Sequence, residues 1–219
     1  VSSPALNPLV NPHQFAICPT NPPVANAGAD QTIFQCTPSQ ICWAAGCTDA
    51  DGDLKLCELF SGPGTFNGST ICFTPTTTMN YEFVLKATDS CNQVDYDTVV
   101  IHYTRNTAPV ANAGADQAVF QCTPAQISWA ASCTDVNSNL SSCQLISGPG
   151  TYNGSQISFT PASSGTYTFI LQATDSCNAT DLDTAVITVT LNSAPVCTVP
   201  SNETISQCTP TQVCRPYSA

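Results

Sequence analysis

An internal repeat of 86 residues constrains the fold of this chain more than any other feature of the sequence. The segment PVANAGADQ at residues 23–31 recurs at residues 109–117. With no gap, 54 of 86 positions are identical between residues 23–108 and residues 109–194. The chain therefore contains two copies of one structural unit, which must fold in the same way.

The repeat predicts four segments along the chain. Residues 23–108 form repeat 1, residues 109–194 form repeat 2, and residues 195–219 match only the first strands of a truncated third repeat. Residues 1–22 come before repeat 1, and their last part, residues 14–22, aligns with the end of repeat 1. We therefore expect an N-terminal strand-like extension at residues 1–22.

Within each repeat, apolar side chains alternate with polar ones at a period of two residues. This period, interrupted by Gly, Pro, Asn and Asp roughly every 8–12 residues, is typical of short strands in an all-β sandwich. The side chains expected to face inward in repeat 1 are Ile41, Trp43, Ala45, Tyr81, Phe83, Leu85, Ala87, Val99, Ile101 and Tyr103. No stretch has a helical period, so we predict an all-β chain.

Several motifs of the repeat belong to a recognisable pattern. PPVANAGADQTI, CTDADGDL, SGPGT and YEFVLKATDSCN, followed by DTVVIHY, resemble the PKD-type immunoglobulin-like repeats of prokaryotic surface and secreted proteins. The resemblance covers nearly all of both complete repeats. It implies tandem immunoglobulin-like β-sandwiches that act as spacers, adhesive units or structural subunits.

The chain departs from that family pattern in its 14 cysteines. A zinc site would need closely spaced ligands, but the sequence has no CxxC motif and only two histidines. The remaining interpretation is a disulfide framework formed in an oxidising compartment. We therefore predict an extracellular or cell-surface protein, and the start at Val1 without an initiator methionine suggests a processed form.

Comparison of the two repeats predicts one disulfide bond. Cys42 and Cys72 of repeat 1 are replaced together by Ser128 and Ser158 in repeat 2, as the loss of one bridge would produce. Each of the two cysteines stands between two residues expected to face inward, so both side chains should point outward from adjacent strands. We therefore predict a Cys42–Cys72 disulfide.

The other four cysteines of each repeat allow three connectivities. The immunoglobulin-like resemblance places the loops after the second and sixth strands at one end of the sandwich, which favours one of these. The pairs it implies are Cys47–Cys91 and Cys36–Cys57 in repeat 1, and Cys133–Cys177 and Cys122–Cys143 in repeat 2. The four cysteines outside the complete repeats are even in number, so they could pair with each other, within a chain or between subunits: Cys18, Cys197, Cys208 and Cys214.

The charge of the chain excludes some classes of partner. Four basic residues stand against 15 acidic ones, giving a formal net charge of −11. Nucleic-acid binding needs clustered Lys and Arg, so we expect no nucleic-acid partner. No apolar run approaches the roughly 18 residues of a membrane span, so no membrane insertion is expected.

Three aspartates in the motif CTDADGDL form the one candidate metal site. Asp49, Asp51 and Asp53 bring carboxylates together, as Ca²⁺ sites require, although the order of an EF-hand loop is not met. The alternative interpretation is an Asp-rich turn at a strand end. Four further aspartates are candidates to join the site: Asp30, Asp89, Asp95 and Asp97.

Two asparagines are candidates for glycosylation because they occupy the same NGS loop in both repeats. These are Asn67 and Asn153, and the alternative interpretation is a turn of type I′. No enzymatic activity is expected, since neither His13 nor His102 has a nucleophile motif nearby and His102 becomes Thr188 in repeat 2.

The incomplete segments outside the two repeats suggest a function. The first strands of a sandwich expose an apolar face and unpaired edges, so another segment must cover them. We predict that the N-terminal segment of the next subunit adds a strand there, which makes a head-to-tail extracellular filament of identical subunits. Two alternatives stay open: a cut portion of a longer array, or an adhesive or spacer segment that contacts surface glycans.

Overall fold

The alternating pattern of the sequence forms β-strands in both repeats. The structure, a computed structural model, describes residues 20–193. The regular secondary structure in that part of the chain consists of strands alone. The chain divides into two compact units between Asn106 and Thr107. The predicted all-β fold class is confirmed. The third repeat at 195–219 and all but the last three residues of the predicted extension lie outside the described residues.

Repeat 1 contains nine strands. They are β1 (Val24–Asn26), β2 (Gln31–Gln35), β3 (Ile41–Ala44), β4 (Gly46–Thr48), β5 (Leu54–Ser61), β6 (Thr65–Phe66), β7 (Thr70–Phe73), β8 (Met79–Asp89) and β9 (Val94–Arg105). The period-two burial of β8 and β9 matches the predicted alternation of inward and outward side chains.

Repeat 2 contains the same nine strands in the same order. They are β10 (Val110–Asn112), β11 (Gln117–Gln121), β12 (Ile127–Ala130), β13 (Ser132–Thr134), β14 (Leu140–Ser147), β15 (Thr151–Tyr152), β16 (Gln156–Phe159), β17 (Gly165–Asp175) and β18 (Thr180–Leu191). The residue ranges of repeat 1 and repeat 2 in the sequence stay a prediction.

Each repeat is a sandwich of a four-stranded and a three-stranded sheet. In repeat 1 the orders are β2-β9-β8-β5 and β3-β7-β6, and β1 pairs separately with β4. Strand β2 runs parallel to β9, so that Gln31 lies opposite Ile101 and Gln35 lies opposite Arg105. The other pairs in the two sheets are antiparallel.

An aromatic cluster fills the space between the two sheets of each repeat. In repeat 1 the Trp43 ring lies edge-on to Phe73 and Phe83, with ring centroids 6.0 and 5.0 Å apart. The indole Nε1 of Trp43 donates a hydrogen bond of 2.7 Å to the Ala27 carbonyl oxygen, so its polar atom is satisfied within the core. Nine of the ten side chains expected to face inward are buried, and Ala45 is partly buried against them.

The glycine of the repeated NAG motif makes this packing possible. Gly28 has φ +97°, and a Cβ atom there would lie 2.9 Å from Cδ1 of Trp43. Gly114 has φ +89° and the same relation to Trp129. Only glycine combines this backbone conformation with such a close approach, which explains why both repeats retain it.

Candidate functional site

The predicted Cys42–Cys72 disulfide is present in the structure. Cys42 and Cys72 lie directly opposite each other on β3 and β7, with a Cα–Cα distance of 4.2 Å. Neither residue belongs to the buried core, as their place between inward-facing neighbours predicts. The bridge joins the two strands on the outer face of the three-stranded sheet. Ser128 and Ser158 stand opposite each other at the same register in repeat 2.

The other predicted pairings within the repeats are wrong. Cys47 is bonded to Cys57, with their Cα atoms 5.7 Å apart, and this excludes both Cys47–Cys91 and Cys36–Cys57. The reason is local. A short loop joins β4, which contains Cys47, to β5, which contains Cys57, so the two cysteines lie close together. The sequence separation is only ten residues.

Repeat 2 has the equivalent short-range bridge. Cys133 is bonded to Cys143 with a Cα–Cα distance of 5.9 Å, so Cys133–Cys177 and Cys122–Cys143 are also wrong. Cys122 is a free, exposed thiol.

Three further cysteines of the repeats form other disulfides than those expected: Cys36, Cys91 and Cys177. The cysteines Cys18, Cys197, Cys208 and Cys214 lie outside the described residues.

The candidate metal site forms, but with a different third residue. Asp49 and Asp53 lie close together as expected, and the third carboxylate beside them belongs to Asp89, at the end of β8. The expected ligand Asp51 is turned away, because its carboxylate accepts hydrogen bonds from the backbone N and the side-chain Nδ2 of Asn21, at 3.1 and 2.7 Å. Including Asp51 in the site was therefore wrong.

The three other aspartates that were candidates for this site have structural roles. Asp95 and Asp97 project from β9 and accept hydrogen bonds from the backbone N–H groups of Ala25 and Ala27, at 2.9 and 2.7 Å. Asp30 accepts one from the backbone N–H of Val100 at 2.8 Å. These carboxylates hold β1 and the turn after it against β9, and repeat 2 conserves all three contacts.

The two candidate glycosylation sites lie on exposed turns. The side-chain Oδ1 of Asn67 accepts hydrogen bonds from the backbone N–H groups of Ser69 and Thr70, at 3.0 and 2.9 Å. Asn153 makes the same contacts with Ser155 and Gln156. These bonds explain the turn without a glycan, so glycosylation stays a prediction.

Sequence reasoning missed an exposed aromatic pair on the outer face of the four-stranded sheet of repeat 1. Phe60 on β5 is 59% exposed and Tyr96 on β9 is 47% exposed, and their ring centroids lie 5.4 Å apart. The Lys86 Nζ atom lies 5.7 Å from the centroid of the Phe60 ring. Both positions alternate with inward-facing residues in their strands, and this alternation could have predicted that the two rings point outward.

The histidine of repeat 1 has a structural explanation. His102 is exposed on β9, and its Nδ1 lies 2.9 Å from the side-chain Oδ1 of Asn80 on β8. Directly opposed residues of antiparallel strands commonly make such contacts.

Comparison with solved structures supports the fold. The chain is similar to the mouse cadherin-23 EC22-24 fragment, with a TM-score of 0.53 and 14% identity over 78% of this chain and 67% of that one. It is also similar to extracellular cadherin domains 1-4 of protocadherin gamma B7, with a TM-score of 0.53 and 13% identity over 78% of this chain and 51% of that one. At such identities the similarity shows a shared tandem, immunoglobulin-like β-sandwich fold and no more.

The chain spans about a third of the extracellular domain of protocadherin GammaB4, which it matches with a TM-score of 0.50 and 17% identity over 77% of this chain and 33% of that one.

No protein-family model matches the sequence, so membership of the PKD-type repeats stays a prediction. No curated protein sequence matches it significantly. Among residues 20–193 there is no helix with the length and hydrophobicity to cross a membrane.

Proposed function

We propose that the chain is a non-enzymatic extracellular structural protein whose subunits join head to tail by β-strand complementation. The observation that carries this proposal is the parallel pairing of β2 with β9 in repeat 1, which repeat 2 reproduces with β11 and β18. The partner of β2 comes from the other end of its own repeat. A segment like β2 without its β9 has an unpaired edge, which another chain can fill.

The sequence contains counterparts of both strands outside the complete repeats. Shifted by two repeat lengths, residues 203–207 correspond to β2 at Gln31–Gln35. Shifted by one repeat length, residues 15–19 correspond to Ile101–Arg105, the part of β9 that pairs with β2. We propose that residues 15–19 of one subunit pair in parallel with residues 203–207 of another.

The side chains of the N-terminal segment support this register. Phe15 and Ile17 occupy the positions of Ile101 and Tyr103, which are both buried in the core of repeat 1. Ala16 occupies the position of the exposed His102. The segment therefore has apolar side chains at the positions where the sandwich of a neighbouring subunit would bury them.

Assembly of this kind produces a fibre. The donor and acceptor segments are different parts of the chain, so the contact between subunits is heterologous and adds one subunit after another. Cys18 lies in the donor segment and Cys208 lies beside the acceptor segment, so disulfides formed by these cysteines across the proposed junction would make it covalent. The disulfides Cys42–Cys72, Cys47–Cys57 and Cys133–Cys143 support an oxidising, extracellular location.

Electron microscopy and mass measurement of the full chain test the proposal. We expect filaments in negative stain, and on non-reducing gels multiples of 22.9 kDa that collapse to 22.9 kDa on reduction. Ile17→Lys places a charge at an inward position and should abolish the filaments, whereas Ala16→Lys, at the neighbouring outward position, should not. A wild-type chain that stays monomeric at all concentrations, or equal effects of the two substitutions, would contradict strand complementation.

The exposed pair Phe60 and Tyr96 favours a second candidate function, an adhesive segment that contacts surface carbohydrate. Aromatic rings on an outer sheet face offer apolar surface for the C–H faces of sugar rings. Repeat 2 has Ile146 and Leu182 at these positions, so the rings are specific to repeat 1. A monomeric chain that binds polysaccharide, and loses that binding on Phe60→Ala, would favour this function over the filament.

A further inference from the structure

Three carboxylates converge at the end of repeat 1 where β4, β5 and β8 meet. Asp49 follows β4, Asp53 comes before β5, and Asp89 is the last residue of β8. Each offers a carboxylate oxygen, and these oxygens all lie within 4.8 Å of one another. Asp89 is only 1% exposed, so this arrangement places negative charge where water cannot fully screen it.

Asp49 and Asp53 are each held through one oxygen of the carboxylate group. The Oδ1 atom of Asp49 accepts the backbone N–H groups of Asp51 and Gly52, at 2.8 and 3.1 Å. The Oδ2 atom of Asp53 accepts the hydroxyl of Ser90 at 2.6 Å.

Asp89 is fixed in the same way by residues of the loop after β8. Its Oδ1 accepts the backbone N–H groups of Cys91 and Gln93, at 2.9 and 2.7 Å. Its Oδ2 accepts the side-chain Nε2 of Gln93 at 3.0 Å. The cluster is therefore fixed in place by hydrogen bonds to loop residues.

Two carboxylate oxygens of the cluster accept no hydrogen bond from the described residues. The Oδ2 atom of Asp49 and the Oδ1 atom of Asp53 are buried, and neither has a hydrogen-bond partner among the described residues. Buried polar atoms are nearly always paired, and an unpaired carboxylate oxygen is especially unfavourable. Two such oxygens beside a third carboxylate therefore call for a positively charged ligand.

No basic side chain of the described residues supplies that charge. Lys55, on the neighbouring β5, directs its Nζ to the Oδ1 atom of Asn92 at 3.2 Å. Lys86 pairs with Glu58 at 3.6 Å, the one salt bridge found between residues 20 and 193. The charge of the three aspartates is thus not compensated by protein groups in this part of the chain.

Repeat 2 lacks one carboxylate at the same place. Asp135 and Asp175 correspond to Asp49 and Asp89, but Asn139 replaces Asp53. The Asn139 Nδ2 donates a hydrogen bond of 3.1 Å to the Ser176 hydroxyl, where Asp53 accepts one from Ser90. The amide has one oxygen and no charge, and no comparable group of three acidic residues is found in the described part of repeat 2.

We infer that repeat 1 binds one divalent cation through Asp49, Asp53 and Asp89. Oxygen ligands and an irregular loop arrangement suit Ca²⁺, which takes six to eight oxygens in flexible geometry, whereas Mg²⁺ requires a near-ideal octahedron. Water completes the coordination, and the ion ties the loop between β4 and β5 to the end of β8. This inference does not depend on filament assembly.

Calcium titration of the full chain after treatment with EDTA tests the site. We expect one Ca²⁺ per chain by calorimetry, a higher melting temperature with CaCl₂ than with EDTA, and weaker binding of MgCl₂. Asp53→Asn should lower the Ca²⁺ affinity about tenfold or more, since it removes a charged ligand. This variant should fold, because repeat 2 already has asparagine at the equivalent position.

Asp51→Asn is the matched control, because it removes a neighbouring charge that lies outside the cluster. It should retain calcium binding to within about threefold, as expected for a screened charge that is not a ligand. The inference is overturned if the wild-type chain shows neither heat nor a melting shift at about 1 mM CaCl₂, the upper range of extracellular sites. It is also overturned if Asp53→Asn binds as tightly as wild type, or if Asp51→Asn loses as much affinity as Asp53→Asn.

Discussion

Repeat 1 and repeat 2 have the same strands and a similar core, but they differ more at the surface and at the ends of the strands. Trp43 and Trp129 make nearly identical ring contacts and the same 2.7 Å hydrogen bond to an alanine carbonyl. Among residues 20–193, repeat 1 alone has a disulfide across the strand pair that is β3–β7 there and β12–β16 in repeat 2, and it alone has an exposed aromatic pair and three clustered carboxylates. The shared strands therefore go with the shared inward-facing residues, while the features that distinguish the repeats lie mostly outside the core.

This comparison predicts which disulfide the fold can form without. The bridge Cys42–Cys72 joins strands that already pair through backbone hydrogen bonds, and repeat 2 makes the same pairing with Ser128 and Ser158. The bridge between β4 and β5 has a counterpart between β13 and β14 in repeat 2, and each closes the loop that carries Asp49 or its equivalent Asp135. We conclude that the first bridge adds stability and that the second belongs to the shared architecture.

The largest expected effect comes from substitutions that test whether the two cores contribute equally to stability. Trp43→Ala and Trp129→Ala each remove an aromatic side chain and its hydrogen bond to a carbonyl oxygen, and each should destabilise its own repeat by about 3–5 kcal/mol. Hydrogen exchange at the amides of β8 and β17 measures the two losses separately. Losses that differ by more than about 1.5 kcal/mol, beyond the usual context dependence of such substitutions, would show that the cores are not equivalent.

A smaller effect is expected when the bridge of repeat 1 is transferred to repeat 2. Ser128 and Ser158 are directly opposed, as are Cys42 and Cys72, so Ser128→Cys with Ser158→Cys should form a disulfide. It should stabilise repeat 2 by about 2–4 kcal/mol, because it constrains the unfolded chain. Guanidinium unfolding with and without reductant measures the gain.

The reciprocal variant is the control for this transfer. Cys42→Ser with Cys72→Ser should lower the stability of repeat 1 by a similar amount and leave its strands intact, as in repeat 2. A double serine variant that does not fold would mean that repeat 1 needs the bridge, and that the two repeats are less alike than their strands suggest.

The sequence predicted the fold well because inward-facing residues repeat at a fixed period. Ile101 and Tyr103 could be placed in the core from their alternation alone, and Cys42 and Cys72 from the residues on either side of them. Such local patterns are determined by the geometry of a single strand.

The candidate site was harder to predict because it depends on contacts between loops. Nothing in the spacing of CTDADGDL shows that Asn21 binds Asp51 or that Asp89 replaces it, since both contacts join distant parts of the chain. The Cys47–Cys57 bridge was missed for another reason. The general layout of an immunoglobulin-like sandwich does not specify how a particular loop returns, and here the loop returns after ten residues.

The smallest expected effect concerns a hydroxyl that repeat 2 lacks. The Tyr103 hydroxyl is buried and has no hydrogen-bond partner within residues 20–193, and Val189 stands at its position in repeat 2. Removal of an unsatisfied buried group is stabilising, so Tyr103→Phe should raise the stability of repeat 1 by up to about 1 kcal/mol. Tyr81→Phe is the contrasting variant, since it removes a hydroxyl that donates to the Thr77 carbonyl at 2.9 Å, and it should lower stability by about 1 kcal/mol.

The pH dependence of the Tyr103→Phe effect sharpens this test. Burial raises the pKa of the Tyr103 hydroxyl above its ordinary value of 10.0, although the positive charge of Arg105 opposes the shift. The unfolded chain therefore loses this proton at a lower pH than the folded chain, so the wild-type protein loses stability as the pH rises above 10.0. The phenylalanine variant lacks this contribution, and its advantage should grow from pH 9 to pH 11 in chemical unfolding, by about 1.4 kcal/mol per pH unit at most. An advantage that stays constant or shrinks over this range would show that the hydroxyl is hydrated or hydrogen-bonded in solution.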